Sequence, residues 1–302
     1  MSVTDPRGCV MRVVRLRAPG GPEQLAVEEA NRPRPGPVEA LVRVHAAAIT
    51  RGELEWPVDR LPAIPSYELS GVVEEVGPGV AGVAAGDEVF ALTPFDRDGV
   101  AADYTALPAE LLVARPRALG HAESAAIPLP ALAAWQGLFD HGQLRADKRV
   151  LIHGAAGGVG GFAVQLARAG GAHVIGTASA ANLGLVRELG AHQAVDAATR
   201  LEDAVEPVDV VFDTAGGERL RRSSAVLGAG GRLVSVAAQP PDGGVHFTVE
   251  PNRDQLRSLA RLADAGDLRP APIEVFPLSS AREAFARSLE PGRHGKVVLA
   301  VV

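Results

Sequence analysis

Val150-Leu-Ile-His-Gly154-Ala155-Ala156-Gly157-Gly158-Val159-Gly160-Gly161-Phe162-Ala163-Val164-Gln165-Leu166 reads as an apolar strand, a glycine-rich turn and the opening of a helix. In that setting Gly157 lets the backbone approach a pyrophosphate, and the N–H groups of the first helical turn point at its oxygens. Gly160 permits close packing of helix on strand. In the G-x-G-x-x-G register Ala155 takes the first glycine position. The motif predicts dinucleotide binding through Ala156, Gly157, Gly158, Val159 and Gly160, the alternative being a purely structural turn in an α/β sheet.

The flanking sequence supplies the matching context. His173 to Thr177 is a second strand, Asn182 to Leu189 a helix, Val208 to Phe212 a third strand and Arg232 to Ala237 a fourth. Strands alternating with helices predict right-handed βαβ units and a parallel sheet. Arg253 to Ala265 is an amphipathic helix with Leu256, Leu259, Leu262 and Ala263 near one face. Ala178 and Ser179 end the second strand, where the adenosine ribose of a bound dinucleotide is expected. An acid there would accept from the ribose hydroxyls of NAD. None occurs between Gly160 and Glu188, which favours NADP over NAD, with Ser179 as a donor to the 2′-phosphate. The basic partner is not obvious, because Ala180, Ala181 and Asn182 follow and Arg187 lies two turns into the helix. Ala215 with Gly216, and Val236 with Ala237, end the third and fourth strands at the carboxyl edge where ligands bind.

Upstream the pattern differs. Met11 to Leu16 and Ala40 to Ala48 are valine-rich and partly alternating, and Ser70-Gly-Val-Val-Glu-Glu-Val-Gly-Pro-Gly-Val runs from strand into tight turn. Short strands punctuated by Gly and Pro predict a small barrel or sandwich. Ala122 to Phe139 is helical in character, interrupted by Pro128 and Pro130. The tail carries a short helix, Ala281 to Leu289, and a closing strand from Lys296 that returns to the first domain.

Composition excludes several classes. A net charge of −6 and 4% aromatics argue against nucleic-acid binding. One cysteine, Cys9, rules out a disulfide framework and thiolate zinc sites. No stretch reads as a membrane span or a signal peptide, which predicts a cytoplasmic protein.

Taken together, Ser70-Gly-Val-Val-Glu-Glu-Val-Gly-Pro-Gly-Val, Gly86-Asp-Glu-Val, Gly154-Ala-Ala-Gly-Gly-Val-Gly, Asp213-Thr-Ala-Gly-Gly and Gly295-Lys-Val-Val-Leu resemble the medium-chain dehydrogenase/reductase superfamily, in its zinc-free quinone oxidoreductase branch. The resemblance implies an α/β protein. A GroES-like β-barrel catalytic domain would span residues 1–120 and 272–302, and a Rossmann domain binding NADP would span 121–271. It also implies a homodimer paired through Rossmann edge strands, with Ser235 to Val249 as the candidate edge. Zinc members carry a ligand in a Gly-His-Glu segment; the matching residues here are Ser66-Tyr67-Glu68, so no catalytic zinc is expected.

On the substrate side, Thr50 matches a position where relatives often carry Asn, the alternative being a loop threonine. Tyr67 is a candidate donor to a carbonyl oxygen or a packed barrel residue. Trp56 and Phe247 are candidates for the substrate pocket, while Glu68 is read as structural rather than as a base. On the cofactor side, Ala133 stands where relatives often have Thr near the nicotinamide, and Ala197 where they often have Tyr. Lys296 either reaches the cofactor or is a strand-edge lysine. Without a Lewis acid, hydride transfer suits acceptors whose developing charge delocalises, namely quinones and conjugated enones, a polyketide intermediate included. A non-catalytic dinucleotide sensor and a zinc alcohol dehydrogenase are the competing expectations.

Overall fold

The computed structural model describes residues 10–56, 60–290 and 295–302. The chain divides into two compact units, one drawn from residues 1–129, 251–264 and 272–302, the other from 130–250 and 265–271. The division falls after Leu129 rather than at 120, and it groups 251–264 with the first unit.

The first unit begins with β1 (Val10–Leu16) and β2 (Leu25–Asn31), an antiparallel pair. β3 (Glu39–Ile49), β4 (Glu68–Val76), β5 (Glu88–Leu92), β6 (Tyr104–Pro108) and β7 (Val113–Ala114) follow, and then α1 (His121–Ala125). Valine-rich β3 and β4 pair antiparallel along most of their length, with Leu69, Val73 and Val42 buried. Gly71 is needed in that pair because a Cβ there would lie 2.2 Å from the Arg43 carbonyl oxygen.

Next comes α2 (Pro128–Trp135), continued by π-helical turns over Gln136–His141. Pro128 and Pro130 do not interrupt a helix, as the sequence pattern suggested; they open one. First-turn N–H groups have no intrahelical acceptor, so proline loses nothing there. The remaining N–H in that turn, Leu129, donates to Glu68 Oε2 at 2.9 Å.

The second unit carries β8 (Arg149–His153), α3 (Gly158–Ala169), β9 (His173–Ala178), α4 (Leu183–Glu188), β10 (Gln193–Asp196) and α5 (Leu201–Ala204). β11 (Val208–Asp213), α6 (Gly217–Arg222), β12 (Leu227–Ser235) and β13 (Val245–His246) complete it. All are parallel, in the spatial order β10-β9-β8-β11-β12-β13. Numbered within the unit this is 3-2-1-4-5-6, the doubly wound dinucleotide-binding order, whose direction reverses between β8 and β11. β10 falls in the chain between the second and third strands named from sequence, and in the sheet it is the edge strand beside β9. One face is filled by Leu151, Ile175, Val195, Val211, Leu220 and Leu233.

The chain returns to the first unit through α7 (Arg253–Ala265), β14 (Ile273–Pro277), α8 (Ala281–Leu289) and β15 (Lys296–Ala300). β15 pairs antiparallel with β3, giving the sheet order β14-β15-β3-β4-β5-β7 with β6 also on β3. Phe285 and Leu299 join its core.

Candidate functional site

The glycine loop closes β8 at the reversal point of the parallel sheet. Gly154 sits at φ +70°, and Gly157 is the N-cap of α3. A glycine cap has no side chain to satisfy the first-turn N–H groups, so they remain available to an anion. A Cβ on Gly160 would lie 2.1 Å from the Gly154 carbonyl oxygen, whereas one on Gly158 would project into open space. The loop thus fits a dinucleotide diphosphate: packed tightly behind, open in front. Ala156 is buried, Gly157 is exposed, and Gly158 and Val159 are half-buried.

Beside it, Ala178 is buried at the end of β9 and Ser179 is exposed, with its Oγ accepting from Asn182 Nδ2 at 2.8 Å. The ends of β11 and β12 are shaped by a pair that the sequence reading passed over. Asp213 is fully buried and accepts from Ser235 Oγ at 2.8 Å and from the Gly216 N–H at 3.0 Å. Ser235 Oγ in turn accepts the Ala237 N–H at 3.0 Å. One carboxylate therefore fixes both the Ala215–Gly216 and the Val236–Ala237 turns. The motif containing Asp213 was visible, but only Ala215 and the glycines carried a reading. Ala133 is buried in α2.

His153 lies beneath the loop between Thr177 Oγ1 and Ser223 Oγ, each at 3.0 Å. Ser223 Oγ donates to the Arg219 carbonyl, so it accepts from His153 Nε2–H, and Nδ1 accepts from Thr177. Burial pushes the His153 pKa down to about 4, with Asp213 opposing and Arg219 reinforcing the shift, so the ring is neutral.

In the first unit, Thr50 and Lys296 converge on Glu68. Lys296 Nζ forms an ion pair with Glu68 Oε1 and donates to Thr50 Oγ1 at 3.1 Å, and Thr50 Oγ1 donates to the same Glu68 oxygen at 3.1 Å. The Thr50 hydroxyl is therefore oriented by two charged neighbours. Glu53 lies next to this group, 5% exposed, accepting the Thr50 N–H at 3.3 Å and the Ser66 N–H at 3.2 Å. Burial pushes its pKa up to about 8, against the pull of Lys296 and the two backbone bonds, so it is protonated at neutral pH. Ser66 holds φ +63°, a costly conformation for a side-chain-bearing residue that the Glu53 bond helps to fix. No local sequence signal marks Glu53, and Glu68 becomes meaningful only through its distant partner.

Tyr67 packs in a three-ring cluster, 5.9 Å from Trp56 and 5.1 Å from Phe95 between ring centroids. Phe247 belongs to the second unit, where its ring lies 4.4 Å from that of His141. Among the described residues, no three His, Cys, Asp or Glu side chains converge on a point that could hold a metal ion.

Comparison with known proteins agrees with this architecture. Residues 36–117 match the alcohol dehydrogenase GroES-like domain, and residues 189–299 match the zinc-binding dehydrogenase family. The chain is 33% identical to an NADPH-dependent alkenal/one oxidoreductase of Arabidopsis thaliana, over 86% of this chain and 72% of that protein. It is 34% identical to a 2-methylene-furan-3-one reductase of Solanum lycopersicum, over 86% and 71% respectively. The structure of a quinone oxidoreductase from Coxiella burnetii superposes with a TM-score of 0.90 at 28% identity, covering 97% of this chain and all of that one. The chain belongs to the medium-chain dehydrogenase/reductase superfamily, in its quinone oxidoreductase branch. It is accordingly a dinucleotide-binding oxidoreductase.

Proposed function

We propose that the chain is an NADPH-dependent reductase that passes hydride to an enone or a quinone without zinc. The reading rests on the Thr50–Glu68–Lys296 group, with Tyr67 at the position where zinc members carry a ligand histidine. An ammonium and a hydroxyl fixed on one carboxylate can hold a polar substrate atom in place. They cannot stabilise a full alkoxide as a metal ion would, so acceptors that delocalise the incoming charge are the ones that suit them. The names of the relatives support conjugated carbonyl acceptors.

When bound, the dinucleotide supplies the hydride. The chain's own residues hold and orient it: the first turn of α3 takes the diphosphate, Ala178 and Ser179 border the adenosine ribose, and the turns fixed by Asp213 flank the nicotinamide. Thr50 orients the acceptor, and the rings of Trp56 and Tyr67 provide apolar walls. Absence of an acid at the end of β9 supports NADP over NAD. A cytoplasmic homodimer completes the proposal; β13 is an edge strand with Val245 exposed, and no helix among the described residues is long and apolar enough to cross a membrane.

The test is oxidation of NADPH and NADH, side by side, with 1,4-benzoquinone and a small conjugated enone, before and after exhaustive chelation. Turnover that favours NADPH and survives chelation is expected. Activity that disappears on chelation and returns with zinc would overturn the metal-free reading, and absence of turnover with all four pairs would overturn the reductase.

A further inference from the structure

We infer that Arg219, on the helix after the fourth strand of the dinucleotide-binding sheet, is the cation that receives the adenosine 2′-phosphate. This rests on the NADPH reading above and supplies what the sequence around Ser179 lacks, since Ala180 and Ala181 provide no charge.

Three observations carry it. The first is position. Arg219 Nε donates to the Ala197 carbonyl at 2.9 Å. Ala197 continues β10, and its N–H donates to the Ala178 carbonyl at 2.7 Å, while Asp196 is in register with Ala178. Ala197 therefore sits beside Ser179, one parallel-strand spacing of about 4.8 Å away. The Arg219 side chain is thus anchored at the carboxyl end of β10, beside the strand that leads to the exposed Ser179, the edge where the ribose of a bound dinucleotide belongs.

The second is its lack of a counter-ion. Its helix neighbours are neutralised, Arg221 by Glu218 and Arg222 by Glu202. Arg219 has no carboxylate within ion-pair distance among the described residues, although it is half-buried. A half-buried guanidinium held through Nε alone leaves its two terminal nitrogens to donate, the fork that matches a phosphate.

The third is preorganisation. The Arg219 carbonyl is held by Ser223 Oγ at 2.7 Å, Ser223 by His153, and His153 by Thr177, two residues before Ser179. This chain of hydrogen bonds ties the backbone of α6 to β9, and the Nε bond to Ala197 restrains the side chain it carries. Asn182 Nδ2, on the Ser179 hydroxyl at 2.8 Å, leaves that hydroxyl's proton free to donate to the same phosphate.

The experiment is calorimetric binding of 2′,5′-ADP and of 5′-AMP to wild type, Arg219→Gln and Arg219→Lys, with no acceptor present. Wild type is expected to prefer 2′,5′-ADP by at least tenfold. Arg219→Gln should lose about tenfold to a hundredfold for 2′,5′-ADP while binding 5′-AMP unchanged, and Arg219→Lys should recover part of the loss. Retention of the full preference by Arg219→Gln would overturn the assignment of Arg219 and leave the NADPH reading intact. Absence of any preference in the wild type would overturn both. A parallel loss for 5′-AMP in Arg219→Gln would show a structural role and also overturn the assignment.

Discussion

The two units build their sites from opposite materials. The dinucleotide unit presents backbone: a glycine cap, a first helical turn of unsatisfied N–H groups, and turns fixed by Asp213, which is itself saturated with donors. Its buried ionisable side chains are tied off, His153 being held neutral between two hydroxyls. The barrel unit instead gathers Glu53, Glu68 and Lys296 into its interior. Backbone dipoles do not titrate, so a site made of them keeps its properties across pH. A cluster of buried ionisable groups depends on every partner being present, because each desolvated group is costly once unpaired.

Removing one charge from the cluster tests that contrast most severely. Lys296→Met keeps the length of the side chain and leaves Glu68 buried without its cation. Loss of about 3–5 kcal/mol in unfolding free energy is expected from urea denaturation. Lys296→Met combined with Glu68→Gln should recover much of it, since the uncompensated carboxylate is gone. A single variant within 1 kcal/mol of wild type would mean that water reaches the pair, and the contrast between the units would fail.

The next effect follows from Glu53. Its carboxyl titrates at about 8 in the folded chain, well above the ordinary value of 4.5. Between those values the native state holds a proton that the unfolded chain has released. Stability therefore falls as pH rises through this window, by at most about 1.4 kcal/mol per unit. His121 acts with the opposite sign. Burial and the neighbouring charges of His45 and Arg115 push it down to about 4, so its contribution is lost as pH falls from 6.5. The Glu53→Gln minus wild-type difference isolates the first effect: the variant should flatten the decline between pH 5 and 8 while leaving the acid limb unchanged. An unchanged slope would place an ionised carboxylate at position 53.

The same contrast governs what could be read from sequence. In the dinucleotide unit the glycine loop and the apolar strands are local signals, and β8, β9 and β11 match their predicted extents to within one residue. β10 escaped because Gln193-Ala-Val-Asp is short, lies at the sheet edge and buries only Val195. The phosphate loop was legible because backbone geometry demands glycine at fixed spacing. The Glu68–Lys296 pair was not, because its partners lie 228 residues apart and meet only when β15 closes on β3 beside β4. Arg219 was hidden for a similar reason. It acts through a neighbour in space, Ala197, whereas the motif logic looked for a base immediately after Ser179.

Two glycines in one turn give the smallest and sharpest test. A Cβ at Gly160 runs into the Gly154–Ala155 peptide, with the Gly154 oxygen at 2.1 Å, the Gly154 carbon at 2.7 Å and the Ala155 Cα at 2.9 Å. Because helix and loop would have to part, Gly160→Ala should cost about 1–3 kcal/mol in stability and weaken dinucleotide binding with it. Gly158 has nothing within 4 Å, and alanine is the better helix former by up to about 1 kcal/mol. Gly158→Ala should therefore match or slightly exceed wild type in thermal stability, yet bind the dinucleotide about tenfold more weakly, because its methyl group enters the space in front of the loop. Equal affinity in Gly158→Ala would show that the diphosphate does not lie against the first turn of α3, and the backbone half of the comparison would have to be moved elsewhere on the sheet edge.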